Sequence, residues 1–399
     1  MICKSGQNTA PSNTYLLANH FSETQALAKI KPDCEVEATN TFQPLKIRPA
    51  EARLYEVAKK LPGERVVVVS VGRAQSAAMM AMERRKASVV AWYLDSYRCQ
   101  LASEHVLAVE AQAAGATLSY VCESDWPLEE QQADLVMLEQ PKTGEAELGR
   151  ELLQTGWHQL KIGGAFVVAT DNPKDKWLLE QMQVFDKSIK VRKFDDAAVY
   201  YAIKKKPLKR LRDFSCQLAF RDEGNLLQLV TRPSVFAHRK LDTGARHIMD
   251  NVEVFPDAEL IEIGCGSGAV SMALAARDAS AQVLAIDSNA RAVDCLKRGL
   301  ELNQIENVTA EVNHDGQLGD DREGTFDMAL ANPPYYADFR IAQHFIETAL
   351  RALRPGGRLM LVSRKPQWYR DNLGQWLEGS EVFECRRYHI ATGLKPSDS

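Results

Sequence analysis

The chain contains no Cys-x-x-Cys pair, no window approaching eighteen uninterrupted apolar residues and no excess of basic charge. Each absence removes a class of protein. Eight cysteines (Cys3, Cys34, Cys99, Cys122, Cys216, Cys265, Cys295 and Cys385) are scattered without a Cys/His cluster at zinc spacing, so reduced thiols and no metal are expected. No stretch is long and apolar enough to span a bilayer, and Met1 to Ala10 lacks the apolar run of a secretory signal; a cytoplasmic protein with no membrane association is expected. Net charge is -4, with 25 basic against 26 acidic residues in positions 1–205 and 24 against 27 in the remainder, so neither half is a basic module. Nucleic-acid contact would therefore need a local patch, because phosphates are neutralised by clustered Lys and Arg rather than by a total. One candidate is Lys204, Lys205, Lys206, Lys209, Arg210 and Arg212, which reads equally as a solvated linker.

What is present is a doubled α/β pattern. At 399 residues, 45% apolar and 26% charged, the composition is globular and the length suits two or three domains. Strand-like runs alternate with helical ones in both halves, which predicts parallel sheets covered by helices. Gly72 and Gly264, and Asp95 and Asp287, lie 192 residues apart; Asp134 and Asp327, Pro141 and Pro334, and Gly163 and Gly356 lie 193 apart. One inserted residue accounts for the change, and five landmarks at this offset, each at the same place in the strand-helix order, indicate a duplicated domain. The expected division is an extension at 1–45 of weak periodicity and partial disorder, a first copy at 46–205, a basic linker at 206–233 and a second copy at 234–399.

The second copy carries the chemistry. Glu262-Ile263-Gly264-Cys265-Gly266-Ser267-Gly268 follows an apolar run and leads into a helical one. Glycines there allow backbone amides to approach a ligand at a helix N-terminus. Asp287, 23 residues after Gly264, closes the next strand, where a carboxylate can accept from ribose hydroxyls. Both features also suit a dinucleotide enzyme. Asn332-Pro333-Pro334-Tyr335, after the fourth strand, separates the readings. Proline fixes the backbone and biases Asn332 to an extended conformation. A conjugated exocyclic amine is a poor nucleophile, because its lone pair is delocalised. Hydrogen bonds accepted by the Asn332 side-chain oxygen and the Pro333 carbonyl would favour its pyramidal form and aim the lone pair at a sulfonium methyl, while Tyr335 stacks on the target ring. Read as structure alone, the tetrapeptide is a turn.

Glycine loop, Asp287 and Asn-Pro-Pro-Tyr together resemble a class I S-adenosylmethionine-dependent amino-methyltransferase. Ser234-Val235-Phe236-Ala237-His238-Arg239-Lys240-Leu241-Asp242-Thr243-Gly244 is similar to a segment of the tandem-domain ribosomal RNA guanine-N2 methyltransferases, over roughly residues 50 to 395. The resemblance implies two tandem Rossmann-like class I methyltransferase domains, the N-terminal copy degenerate, acting as a monomer on ribosomal RNA or a ribosomal subunit. It implies a cofactor site at Glu262, Gly264, Cys265, Gly266, Gly268, Asp287, Ser288, Asn313 and Asp315, with Phe236 and Arg239 over the substrate mouth. Tyr335 departs from the family's usual phenylalanine, and a tyrosine there is also common in glutamine and adenine methyltransferases. In the first copy, Ser70-Val71-Gly72-Arg73-Ala74-Gln75 and Glu139-Gln140-Pro141-Lys142 stand in place of the glycine loop and the tetrapeptide, which reads as catalytically dead. Trp92, Tyr93, Tyr97, Arg84, Arg85 and Lys86 are open to an RNA-binding reading or to a core-and-surface one. A protein glutamine, adenine N6, or a non-catalytic RNA-binding assembly role remain the alternatives.

Overall fold

The computed structural model describes residues 47–334 and 339–397. The expected extension at 1–45 and the predicted stacking ring, Tyr335, lie outside the described residues. Lys46 to Ser399 form one compact unit. Within it α1 (Pro49–Ala58), β1 (Arg65–Val69), α2 (Gln75–Glu83), β2 (Ser88–Tyr93), α3 (Ser96–Ser103), α4 (Val106–Ala113), β3 (Thr117–Cys122), β4 (Ala133–Glu139), α5 (Ala146–Gln159), β5 (Leu160–Thr170), α6 (Trp177–Met182), β6 (Lys190–Lys193) and β7 (Ala198–Ile203) build a first layer set. A hairpin of β8 (Cys216–Asp222) and β9 (Asn225–Thr231) follows. Then come α7 (Thr243–Met249), β10 (Glu259–Ile263), α8 (Ala269–Arg277), β11 (Gln282–Asp287), α9 (Ala290–Asn303), β12 (Val308–Val312), β13 (Phe326–Ala331), α10 (Arg340–Ala352), β14 (Leu353–Ser363), α11 (Pro366–Asn372), β15 (Glu378–Cys385) and β16 (Tyr388–Leu394).

The two sheets run β3-β2-β1-β4-β5-β7-β6 and β12-β11-β10-β13-β14-β16-β15, the same order twice. In each, the first five strands are parallel and the last two pairings are antiparallel, so that β7 and β16 run against the rest. Parallel strands covered on both faces should be apolar throughout. β10 is an instance: Leu260 faces one core with Met272 and Ala273 of α8, while Ile261 and Ile263 face the other with Ile346 and Ala349 of α10. The duplication is therefore real, and the offset of 193 read along the chain holds for β4 and β13 and for β5 and β14, but the register of the first two landmarks differs. β1 and β10, β2 and β11, and α2 and α8 all correspond at an offset of 194, not 192. Gly72 matches Gly266 rather than Gly264, and Tyr93, not Asp95, occupies the place of Asp287. The ladder and the helix caps set this: Asp95 caps α3 as Asn289 caps α9.

Two further expectations change. The segment 206–233 holds the β8–β9 hairpin, whose Phe220, Leu227 and Leu229 are buried in the second copy's core. Lys204 is not part of an exposed basic patch: it is buried, and its Nζ donates to the carbonyls of His158 (2.7 Å) and Leu160 (2.6 Å), satisfying the end of α5. Trp92 and Tyr93 are core residues, and Arg84 caps carbonyls of the α1–β1 loop. Among the described residues no helix is long and apolar enough to cross a membrane.

The copies meet through equivalent turns. Ser96 N–H donates to Ser288 O (2.8 Å) and Ala290 N–H to Leu94 O (2.8 Å), a reciprocal pair about a pseudo-twofold. Beside it Arg291, fully buried, donates to Glu151 (2.8 Å) and to the Pro233 and Ser124 carbonyls, and Arg232 also reaches Glu151 (3.2 Å). A buried cation needs this complete set of acceptors, so helix α5 of the first copy fixes the entry to the second.

Candidate active site

The glycine turn closes between β10 and α8 with Gly264, Gly266 and Gly268 all at positive φ (74°, 55° and 80°). Their surroundings differ. A Cβ on Gly264 would meet Phe345 at 2.8 Å, and one on Gly268 would meet Leu296 at 2.2 Å, so both serve packing. A Cβ on Gly266 would meet nothing within 4 Å: this glycine faces the open side. Asp287, at the end of β11, accepts from Gly266 N–H (2.9 Å) on one oxygen and Asn289 N–H (2.8 Å) on the other, tying the carboxylate to the turn. It is half-buried, and burial raises its pKa, with the nearby Asp95 carboxylate adding to the rise.

Glu262 is buried and accepts from the Ser271 N–H (2.9 Å) and hydroxyl, capping the first turn of α8. Burial pushes its carboxyl up to about 8. Cys265 points its thiol into the core, and burial raises that thiol as well. Ser288 is taken up at the contact between copies, its carbonyl accepting from Ser96 and its hydroxyl donating to Asp95 (2.8 Å). Asn313 folds its own loop, accepting from Gly316 N–H and donating to Gln317 O, both at 2.8 Å, and Asp315 is exposed. The loop is also touched by the first copy: Gln100 hydrogen-bonds His314, and Tyr97 is tilted against that ring at 6.0 Å.

At the end of β13, Pro333 is buried and Asn332 and Pro334 are half-buried. Asn332 Nδ2 donates to Asp242 Oδ2 at 2.8 Å, and the same carboxylate accepts from Ala245 N–H (2.9 Å) as the N-cap of α7. A carboxylate can only accept, so it selects the amide rotamer that faces it with NH2. The Asn332 oxygen is thereby turned away and, among the described residues, accepts no hydrogen bond. Gly244 is required here: a Cβ would sit 2.7 Å from Asn332 Nδ2 and 2.8 Å from Asp242 Oδ2. Sequence reasoning gave Asp242 and Gly244 no individual role, although Asp-Thr-Gly before a helix is a capping signature.

Phe236 is 68% exposed. Arg239 binds Glu147 of α5 at 2.7 Å, beside His238 at 3.1 Å, and no hydrogen bond joins it to the Asp242–Asn332 pair. It ties this segment to the first copy.

The first copy shows the same positions closed. Arg48 stands at the N-cap position of α1, where Asp242 caps α7, but leaves the cap to Asp171, and Glu139 stands where Asn332 does; Arg48 pairs with Glu139 at 3.1 Å, the polarity of the contact reversed. Burial pushes the Glu139 carboxyl up to about 7. Tyr93, in place of Asp287, donates to the Gly72 carbonyl (3.1 Å), and Ala74 replaces the third glycine. Ring and ion pair fill what the second copy leaves open. Among the described residues no group of three or more His, Cys, Asp or Glu is placed to hold a metal.

Two sheets of this order, with a glycine turn tethered to a carboxylate at one end, define tandem class I methyltransferase folds. Residues 226–392 match the family model of the Methyltransferase small domain. The resemblance to ribosomal RNA methyltransferases is found directly. The chain is 32% identical over 184 residues to ribosomal RNA small subunit methyltransferase C of Chromohalobacter salexigens (42% of this chain, 52% of the relative). It is 30% identical over 165 residues to ribosomal RNA large subunit methyltransferase G of Aeromonas salmonicida (40% of this chain, 44% of the relative). It thus spans about half the length of the curated relatives it matches. Among solved structures, the T. thermophilus 16S rRNA N2 G1207 methyltransferase in complex with AdoMet and guanosine superposes with a TM-score of 0.69 at 21% identity, over 86% of this chain and 92% of that one. That likeness is one of fold and extends over both copies.

Proposed function

We propose that the second copy transfers a methyl group from S-adenosylmethionine to the exocyclic N2 of a guanine in ribosomal RNA, the base being flipped out of its stack. The observation that carries this reading is the Asn332 oxygen, turned outward by Asp242 at the carboxyl end of β13, where an open α/β sheet binds ligands. S-adenosylmethionine would supply a sulfonium methyl with a good leaving group. Gly266, open where a Cβ would fit, and Asp287, half-buried on the adjoining strand, are the residues suited to hold it; Gly264, Gly268, Glu262 and Cys265 keep the turn in shape, and Ser288, Asn313 and Asp315 form the rim.

The protein's part is then alignment. Asn332 Oδ1 and the Pro333 carbonyl accept from the target NH2 and aim its lone pair, Tyr335 stacks on the ring, and orientation of this kind is worth roughly 7–11 kcal/mol at best. As the N–CH3 bond forms, the sulfonium S–CH3 bond would break and release S-adenosylhomocysteine, leaving a cationic amine acidic enough to give its proton to water, so no strong base is required. The first copy, residues 46–205 in this assignment, acts as a fixed partner that holds the segment leading to Asp242. The protein would act as a monomer in the cytoplasm, where its substrate is made.

The test is tritiated methyl transfer to ribosomal RNA and ribosomal subunits from a strain lacking the gene, followed by nucleoside analysis. N2-methylguanosine is expected. N6-methyladenosine or labelled protein would replace the substrate, and absence of S-adenosylhomocysteine binding in calorimetry would remove the methyltransferase reading. Asn332→Ala should abolish transfer while cofactor affinity stays within a few fold.

A further inference from the structure

A cavity of about 420 Å³ opens beside Asp242, lined by Lys240, Asp242, Arg364, Arg386, Arg387 and Tyr388 among others. Its position follows from topology. Arg364 succeeds β14, whose parallel neighbour β13 ends at Asn332, and β16 runs antiparallel to β14 with Ser363 paired to His389. The two-residue turn Arg386–Arg387, between Cys385 and Tyr388, is therefore carried to the carboxyl edge of the sheet, next to the Asp242–Asn332 pair.

The basic side chains there contrast with the paired arginines around α7, α8 and α9. Arg232, Arg246, Arg277 and Arg291 each sit against a carboxylate. Lys240, Arg364, Arg386 and Arg387 form no ion pair among the described residues; Arg364 lies over the Tyr388 ring at 5.2 Å. Among the described residues the one acid on the wall, Asp242, is occupied by Asn332 and the Ala245 amide. The first copy supplies an internal control. Where Arg364 follows β14, Asp171 follows β5, and it closes on Arg48 at 2.7 Å. Where the β15–β16 turn has Arg386 and Arg387, the β6–β7 turn has Asp195 and Asp196, and Asp196 is bound by Arg53 at 3.0 Å. Three acids on one copy stand where three arginines stand on the other, and the basic set lines a cavity beside Asn332.

We propose that this cavity binds the phosphodiester backbone of single-stranded RNA next to the target nucleotide, with Arg364, Arg386 and Arg387 as the phosphate contacts. This rests on the methyltransferase reading for its location but not for its test. Guanidinium groups suit the task because their forked donors match phosphate oxygens. Arg386 occupies the left-handed region (φ 57°), so its replacement should keep a similar side chain.

The experiment is fluorescence anisotropy of a labelled single-stranded RNA against full-length protein over a salt series, for wild type, Arg386→Gln/Arg387→Gln and Arg386→Lys/Arg387→Lys. Loss of two phosphate contacts should reduce the log–log salt slope by about 1.4 and weaken binding about tenfold, and the lysine variant should recover the slope. Melting temperature and S-adenosylhomocysteine affinity should not move. An unchanged slope and affinity in the glutamine variant would overturn the proposal, as would wild type that binds no RNA. So would loss of binding to a polyglutamate peptide with RNA binding intact, which would point to an acidic protein partner. Should the glutamine variant show the reduced slope while wild type transfers no methyl group, the methyltransferase reading falls and the phosphate site stands.

Discussion

Asp242 performs two tasks with one oxygen, capping α7 and holding the Asn332 amide, and a substitution can separate them. Asp242→Ser keeps a hydroxyl that caps about as well as a carboxylate but is one atom shorter and uncharged. The cap should survive, leaving the melting temperature within about 2 °C of wild type. The anchor should not. A hydrogen bond to a charged group contributes about 1.5–3 kcal/mol, and here it is the bond that fixes which way the amide faces. If that energy acts in the transition state, each 1.36 kcal/mol is about tenfold in rate, so kcat should fall about tenfold to a hundredfold with cofactor affinity within about twofold. Gly244→Ala should give the same phenotype from another cause, its Cβ falling 2.7 Å from Asn332 Nδ2 while the backbone stays in an ordinary conformation. Single-turnover methyl transfer with calorimetric binding of S-adenosylhomocysteine measures both. A wild-type rate in Asp242→Ser, with Asn332→Ala inactive, would refute the claim that this bond orients the amide.

Other contacts in the molecule lead to further expected outcomes. Glu151→Ala strands Arg291, which is 1% exposed, without its carboxylate, and should cost about 3–5 kcal/mol in urea denaturation; a loss below about 1 kcal/mol would mean the contact between copies contributes little. Gly266→Ala should weaken S-adenosylhomocysteine binding with modest loss of stability, while Gly268→Ala should unfold the domain against Leu296; the reverse pattern in thermal melts and titrations would reassign both glycines. Glu262, pushed up from 4.5 to about 8, holds a proton in the folded state that the unfolded chain sheds, so its contribution to stability falls as pH rises from about 4.5 and levels above about 8. Glu139 adds a second decline ending at about 7. Glu262→Gln should flatten the upper part of the melting-temperature profile, and an unchanged profile would place the proton elsewhere.

Much of this was legible along the chain because the signals are local. Alternating apolar runs predict a covered parallel sheet, a glycine turn before a helix predicts an anion-accepting N-terminus, and proline after Asn332 fixes its backbone whatever surrounds it. The doubling was visible for the same reason, since it repeats local signals in order. The register of its first two landmarks was not. Aligning acid to acid paired Asp95 with Asp287, and only the strand ladders place Tyr93 there, because residue identity had changed while the hydrogen-bonding position had not.

The sequence by itself determined a duplicated α/β protein with one intact glycine turn and one rigid amide. Tertiary structure decided what those parts face. Asp242 and Asn332 are 90 residues apart and meet because the N-terminus of α7 is packed against the end of β13; Arg48 and Glu139 meet by the same geometry with opposite polarity. Arg239, Ser288 and Lys204 could be placed at a site or on a surface from sequence; the fold buries Lys204 against the carbonyls ending α5 and gives Arg239 and Ser288 contacts besides any site role, to Glu147 and to the Asp95–Ser96 turn. Backbone preferences are set by neighbours in the chain. The partner of a charged side chain is set by which strand ends and helix caps the closed sheets bring together.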